Sequence, residues 1–240
     1  MKLKGKRAVV TGGGSGYGRG IAAALIAAGA KVWITGRDRT KLVRTAKAIG
    51  ATPIVADVTS GDDWDRVFKT IGTVDVLVNN AGAGVRIDEV AKQSDAEIAA
   101  AIAVNLTGAI LGCVRAARQM TSRGRGGAIV NVSSVCATHA WPGWSVYSAA
   151  KAGLLKFSHG LYTELRPRGV RVTCVIPSWG QTGFNRAAGI EGASEDRGLA
   201  KKCIAPEDLG EIVRGILEQP DRLAVPELTV QPMVQEIVPM

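Results

Sequence analysis

The sequence predicts an α/β fold, a parallel, doubly wound sheet of about seven strands with helices on both faces, in one domain spanning 1–240. Three observations carry that expectation. Short apolar runs alternate with helical stretches along the whole chain, the order that builds a parallel sheet. The runs are continuous instead of alternating with polar residues, as strands buried on both faces require. Glycine accounts for 30 of the 240 residues with no collagen period. Against a usual ~7%, that excess belongs in tight turns and close backbone contacts.

The elements follow in order. Arg7–Thr11 is the first strand, and a glycine cluster leads from it into a helix over 17–28. Lys31–Thr35 and Pro53–Ala56 are the second and third strands, with helices at 39–48 and 61–70 behind them. Val74–Asn79 precedes a long helix over 94–121, and Ala128–Ser133 precedes another over 144–165. Val170–Ile176 is the sixth strand and 206–218 the last helix. A seventh strand lies near Leu228–Gln231, where Pro226 restricts it to a strand start or a sheet edge. The glycine-containing stretch 178–205 is long for a plain connection and is expected to form a lid over a substrate.

Several classes are excluded by composition. No uninterrupted apolar run approaches the ~18 residues of a membrane span. The basic start Lys2–Arg7 is followed only by Ala8–Val10 before the glycines, too little for the ~7–15 apolar residues of a signal sequence. A cytoplasmic protein without membrane attachment is expected. Cys113, Cys136, Cys174 and Cys203 are irregularly spaced and suit a reduced core; no metal site is expected. The net charge of +9 is scattered and lacks aromatic interleaving. It suits phosphate-bearing small molecules better than nucleic acid.

The chemistry begins at Thr11-Gly-Gly-Gly-Ser-Gly-Tyr-Gly18. Glycines between a strand and a helix let the backbone approach a pyrophosphate, and the helix start supplies free N–H groups. Gly12, Gly16 and Gly18 give GxxxGxG, not GxGxxG, and no Gly-Lys-Ser/Thr follows to make a P-loop. Asn79-Asn-Ala-Gly82 ends the fourth strand, Asn105 lies in the long helix ahead of Gly108, and Ser134 ends the fifth strand. Thirteen residues after Ser134 comes Tyr147-Ser-Ala-Ala-Lys151. Tyr147 and Lys151, four apart on a helix, project from one face. A free phenol has a pKa of ~10, and a neighbouring ammonium favours its ionised form, so this pair could exchange protons near neutrality. Gly12, Arg37, Asp57, Asn79–Gly82, Ser134 and Pro177 each follow a strand end, where open α/β sheets bind ligands.

These five motifs, in this order over about residues 6 to 231, resemble the short-chain dehydrogenase/reductase family in its classical type. The resemblance implies a Rossmann-type sheet and an oxidoreductase that moves a hydride between a nicotinamide dinucleotide and a ketone or secondary alcohol, without metal. It implies Tyr147 as the acid/base, Ser134 orienting the same oxygen, Lys151 also holding the nicotinamide ribose, and Asn105 supporting a proton-relaying water. Thirteen-residue spacing selects Ser134 over Ser133. It further implies cofactor contacts from Gly12, Gly14, Ser15, Gly16, Tyr17, Gly18, Asp57, Val58, Asn79, Ala81, Gly82, Pro177 and Thr182. Ser178 departs from the glycine usual after Pro177. A homotetramer or homodimer is implied, consistent with the two long helices and the apolar tail 230–240.

Cofactor choice turns on Gly36-Arg37-Asp38 after the second strand. A carboxylate there would hold a ribose 2′-hydroxyl, whereas arginine accommodates a 2′-phosphate. Gly36 stands where NAD-preferring relatives carry the acid, so Arg37 points to NADP(H), with NAD(H) and an Asp38 contact as the alternative. Asp57 reads either as an adenine contact or as a helix cap. Trp141, Trp144, Trp179 and Phe184 suggest an apolar pocket for a bulky carbonyl or alcohol substrate. His139 reads as a loop surface residue and His159 as a helix packing residue. The competing functional readings are an NAD-dependent alcohol dehydrogenase of the same family and a dinucleotide-sensing regulator without turnover.

Overall fold

A computed structural model describes residues 1–191, 196 and 198–236. Its seven strands are all parallel and run in the order β3-β2-β1-β4-β5-β6-β7. They are β1 (Arg7–Thr11), β2 (Lys31–Gly36), β3 (Thr52–Val55), β4 (Val76–Asn79), β5 (Gly127–Val132), β6 (Val170–Pro177) and β7 (Glu227–Val230). Pro226 precedes β7 at the sheet edge, where a residue lacking an N–H costs no ladder bond. The helices are α1 (Gly16–Ala27), α2 (Arg39–Ile49), α3 (Gly61–Ile71), α4 (Asp95–Ile102), α5 (Gly108–Arg123), α6 (Ser145–Leu165), α7 (Phe184–Ala188) and α8 (Pro206–Glu218).

Strand pleat divides the apolar runs between two cores. Ala8 and Val10 join Ile21, Leu25, Leu42, Leu209 and Val213 under α1, α2 and α8. Val9 points the other way, with Leu77 and Ile129, into a core with Trp64, Phe68, Met120 and Leu161 of α3, α5 and α6. On the first face α1 and α8 meet backbone to backbone. A Cβ at Gly20 would lie 1.9 Å from the Pro206 carbonyl oxygen, so no larger residue fits without moving a helix. The chain winds outward from β1 to β3, then crosses to β4 on the other side. That reversal opens a crevice at the C-terminal ends of β1 and β4.

The long helix expected over 94–121 is interrupted. Between α4 and α5, Ala103–Thr107 form a π turn, a wider register that recurs at functional sites. Over Asp95–Arg123 the helix reaches a mean hydropathy of 1.8 in its most apolar 18 residues, long and apolar enough to cross a membrane. Only a third of that window is buried in the protein, on the side that packs against the sheet, α3 and α6.

The expected lid, 178–205, has more structure than a plain loop. Gly180 bridges Ile204, and α7 lies between them in the chain; 192–195 and 197 lie outside the described residues, as do 237–240 of the tail. Asp38 and Asp57 are also decided by local geometry. Asp38 caps α2, its carboxylate accepting from Lys41 N–H at 2.9 Å. Ser60, not Asp57, caps α3. His159, expected in a packing role, is half-buried and lies 2.8 Å from the Glu227 carboxylate instead.

Candidate active site

The glycine turn and the Asn-Asn-Ala-Gly turn form one unit. Thr11 Oγ1 accepts from the N–H groups of Asn80 and Ala81, both at 3.0 Å, while Asn80 Nδ2 donates to Thr11 O at 2.9 Å. Gly12 sits in the left-handed region at φ 65°, and a Cβ there would be 3.0 Å from Ala81 Cα. Asn80, which the motif reading left out, is therefore the side chain that ties the two turns. Its signal was its place beside Asn79 in the motif. Asn79 itself points away from the crevice. Its amide, 3% exposed, donates to Asn131 Oδ1 at 2.9 Å and Cys113 Sγ at 3.2 Å. Only its backbone is left for a cofactor.

The first helical turn offers donors. Ser15, extended at φ −169°, is the N-cap of α1 and makes no side-chain cap bond. The first N–H groups of α1 have no side-chain acceptor there. Gly14 and Gly16 flank it, with the methyl of Thr182 3.3 Å from where a Gly16 Cβ would be. Tyr17 and Gly18 face elsewhere. Tyr17 runs beneath the segment after β6, its hydroxyl donating to Ser178 O at 3.4 Å, and burial pushes its phenol well up. Gly18 is packed on the Gly12 carbonyl. Pro177 ends β6 beside Val230.

At the adenosine end, Arg37 is three-quarters exposed and 3.9 Å from Asp57 Oδ2. Asp57 Oδ1 also accepts from Thr59 N–H and Oγ1. The Val58 carbonyl accepts from Trp64 Nε1 at 2.9 Å, and its side chain packs on Gly108.

Four side chains converge where α6, β5 and the π turn meet. Tyr147 and Lys151 share the inner face of α6, and the Lys151 ammonium stands 5.7 Å from the Tyr147 ring centre. Lys151, 3% exposed, donates to Val132 O at 3.0 Å. Burial lowers its pKa to about 8. Asn105, 1% exposed, is held from both sides: Oδ1 accepts from Ala83 N–H at 3.1 Å, and Nδ2 donates to the carbonyls of Ala83 and Ala101. Gly82 joins the group, since a Cβ there would meet Asn105 Oδ1 at 2.9 Å and Lys151 Nζ at 3.5 Å.

The two serines part at the strand end. Ser133 is buried and its hydroxyl donates to Lys151 O at 3.0 Å, anchoring α6. Ser134 faces the crevice, accepts from Cys136 N–H at 3.2 Å and acts to lower the pKa of the neighbouring Tyr147 phenol. The phenol is pushed well up, not down. Burial dominates, Cys136 adds to it, and Ser134 opposes both. The resting site thus differs from the expected ammonium-stabilised phenolate, because desolvation of the ring dominates. Cys136, unanticipated, lies among these groups with its thiol pushed up by burial.

The four expected pocket aromatics separate into two groups. Trp144 and Phe184 stack at 6.3 Å, and both rings contact Tyr147, at 5.6 and 5.3 Å. Trp141 is exposed beside His139, and Trp179 is exposed with no ring contact among the described residues.

Comparison with known proteins agrees with this architecture. The family model for short chain dehydrogenase matches residues 6–191. A short-chain type dehydrogenase/reductase of Sinorhizobium fredii is 35% identical over 234 residues, 96% of this chain and 92% of that one. A 3-ketoacyl-(acyl-carrier-protein) reductase from Brucella melitensis, complexed with NADH, superposes with a TM-score of 0.87 at 28% identity, covering 96% and 98% of the two chains. A serine dehydrogenase complexed with NADP+ superposes at 0.88 and 26% identity, covering 98% of each. The chain belongs to the short-chain dehydrogenase/reductase family and is an NAD(P)-dependent oxidoreductase.

Proposed function

We propose that this protein is an NADP(H)-dependent reductase that converts a ketone to a secondary alcohol, with Tyr147 as the proton donor. The observation that carries this is the convergence of Ser134, Tyr147, Lys151 and Asn105 at the C-terminal edge of the sheet, with Gly82 against Asn105 and Lys151. The cradle fits a dinucleotide: uncapped N–H groups at α1, glycines at the turn and Arg37 at the adenosine end supply donors and charge for its phosphates. The bound cofactor supplies the hydride.

The chain's own residues do the rest. Burial keeps the Tyr147 phenol protonated at neutral pH, the form that can donate to a carbonyl oxygen. Ser134 Oγ accepts from Cys136 N–H, which leaves its own proton to bond the same oxygen. The Lys151 ammonium, poised near 8, electrostatically supports the phenolate formed on donation and holds a proton for its return. Asn105, fixed by the Ala83 and Ala101 backbone, orients a relay from Lys151 to solvent. Trp144 and Phe184 wall the approach and favour a bulky or aromatic ketone. The functional unit is a homodimer or homotetramer joined through the outer faces of α4, α5 and α6, working in the cytoplasm.

Tyr147→Phe tests the assignment. NADPH consumption with a ketone panel should fall by several orders of magnitude while NADPH still quenches tryptophan fluorescence. Retained turnover would remove Tyr147 from the reaction.

A further inference from the structure

Outside the crevice proper, a cavity of about 460 Å3 borders the glycine turn, walled by Gly14–Gly16, Arg19, Lys41, Arg44 and Thr182. Its three cations are not equivalent. Arg19 is paired with Glu207. Lys41 and Arg44 make no ion pair among the described residues. They are three apart on α2, so their charges share one face and repel, which costs the fold a few tenths of a kcal/mol. The position of α2 against the turn is fixed, because Thr45 Oγ1 donates to Gly14 O at 2.8 Å. Lys41 Cγ stands 3.7 Å from where a Gly14 Cβ would be. Asp38, the acid at the start of this helix, accepts the Lys41 backbone N–H and makes no ion pair with its ammonium. Two uncompensated like charges facing one cavity focus a positive potential into it. Arg37 is exposed, as Lys41 and Arg44 are, but unlike theirs its charge is offset, by Asp57 3.9 Å away.

We infer that Lys41 and Arg44 are the phosphate-selective wall of this site, binding a phosphate monoester dianion, the 2′-phosphate that distinguishes NADP(H) from NAD(H). Arg37 contributes less. The inference rests on the dinucleotide reading above and adds to it the residues that set cofactor choice.

Calorimetric titration of the full chain with 2′,5′-ADP and with 5′-AMP tests it without turnover. The wild type, Lys41→Ala/Arg44→Ala, Arg44→Lys and Arg37→Ala are compared. The double variant should lose about tenfold or more for 2′,5′-ADP and no more than about twofold for 5′-AMP. Arg44→Lys should retain most of the affinity, and the steep salt dependence of the wild type should flatten in the double variant. The inference is overturned if the double variant binds 2′,5′-ADP normally. It is also overturned if both fragments weaken equally, since the wall would then read the shared 5′-phosphate, or if Arg37→Ala alone removes the preference. Inorganic phosphate binding as tightly as 2′,5′-ADP would make the wall a general anion site and overturn the assignment to cofactor. Wild-type protein that binds NADH but not 2′,5′-ADP defeats this inference and leaves the dinucleotide reading standing. Binding of neither dinucleotide defeats both.

Discussion

Lys151→Met should make the protein more stable at neutral pH while abolishing turnover. Lys151 is 3% exposed and its ammonium is held at about 8, against a free value near 10.5. At ~1.4 kcal/mol for each unit, burying the charged form costs about 3 kcal/mol below pH 8. The unfolded chain keeps the proton up to about 10.5 and the folded chain only to about 8. Between those values the unfolded state binds more protons, so wild-type stability rises with pH through that window and the cost is gone above it. Methionine removes the charge at similar volume but leaves Val132 O, which now accepts at 3.0 Å, without its donor. That loss is worth about 1–3 kcal/mol. The net expectation is a gain of about 1 kcal/mol at pH 7, or ~2–4 °C in Tm for a domain of this size. Above pH 10.5 the sign reverses, because only the lost hydrogen bond remains. Urea denaturation of both proteins between pH 6.5 and 10.5, alongside ketone reduction, measures each part. A variant less stable than wild type at pH 7 would refute the desolvation argument. Turnover that survives the substitution would refute the role in the reaction.

Two further substitutions probe packing and the pocket. Gly20→Ala would place a Cβ 1.9 Å from Pro206 O, forcing α1 and α8 apart at a cost of about 3 kcal/mol. A ΔΔG below about 0.5 kcal/mol in thermal or urea denaturation would show that the helices yield freely. Phe184→Ala removes the ring stacked on Trp144 at 6.3 Å and resting on Tyr147 at 5.3 Å. Aromatic contacts of this kind contribute about 0.5–1.5 kcal/mol each. KM for bulky aryl ketones should therefore rise up to about tenfold, and more than KM for small aliphatic ones. Equal changes for both would place Phe184 outside the substrate pocket.

Features that depend on neighbours in the chain are legible in the sequence. The strand–helix order, the glycine turn and the helical spacing of Tyr147 and Lys151 all express the local periods of 2.0 and 3.6 residues. The direction of individual side chains at strand ends is not. Asn79 and Asn80 are adjacent and chemically identical, yet pleating sends Asn79 to Asn131 and Cys113 in the sheet centre, while Asn80 ties the glycine turn. The same alternation puts Ser133 under α6 and Ser134 in the crevice, a direction the motif spacing does not itself encode. Tyr17 sits in the glycine motif but its hydroxyl reaches Ser178 after β6, because the turn of α1 directs it there.

What the sequence by itself determined is the family, the sheet and the set of candidate site residues, since these are written in short spacings that sterics and helix geometry translate directly. What only the tertiary structure decided is the electrostatic state of those groups. The raised Tyr147 phenol, the Lys151 ammonium near 8 and the charges of Lys41 and Arg44, unpaired among the described residues, all depend on which segments, distant in the chain, remove water or counter-charge from around them. Desolvation and long-range pairing belong to the packed assembly, and no stretch of sequence encodes them locally.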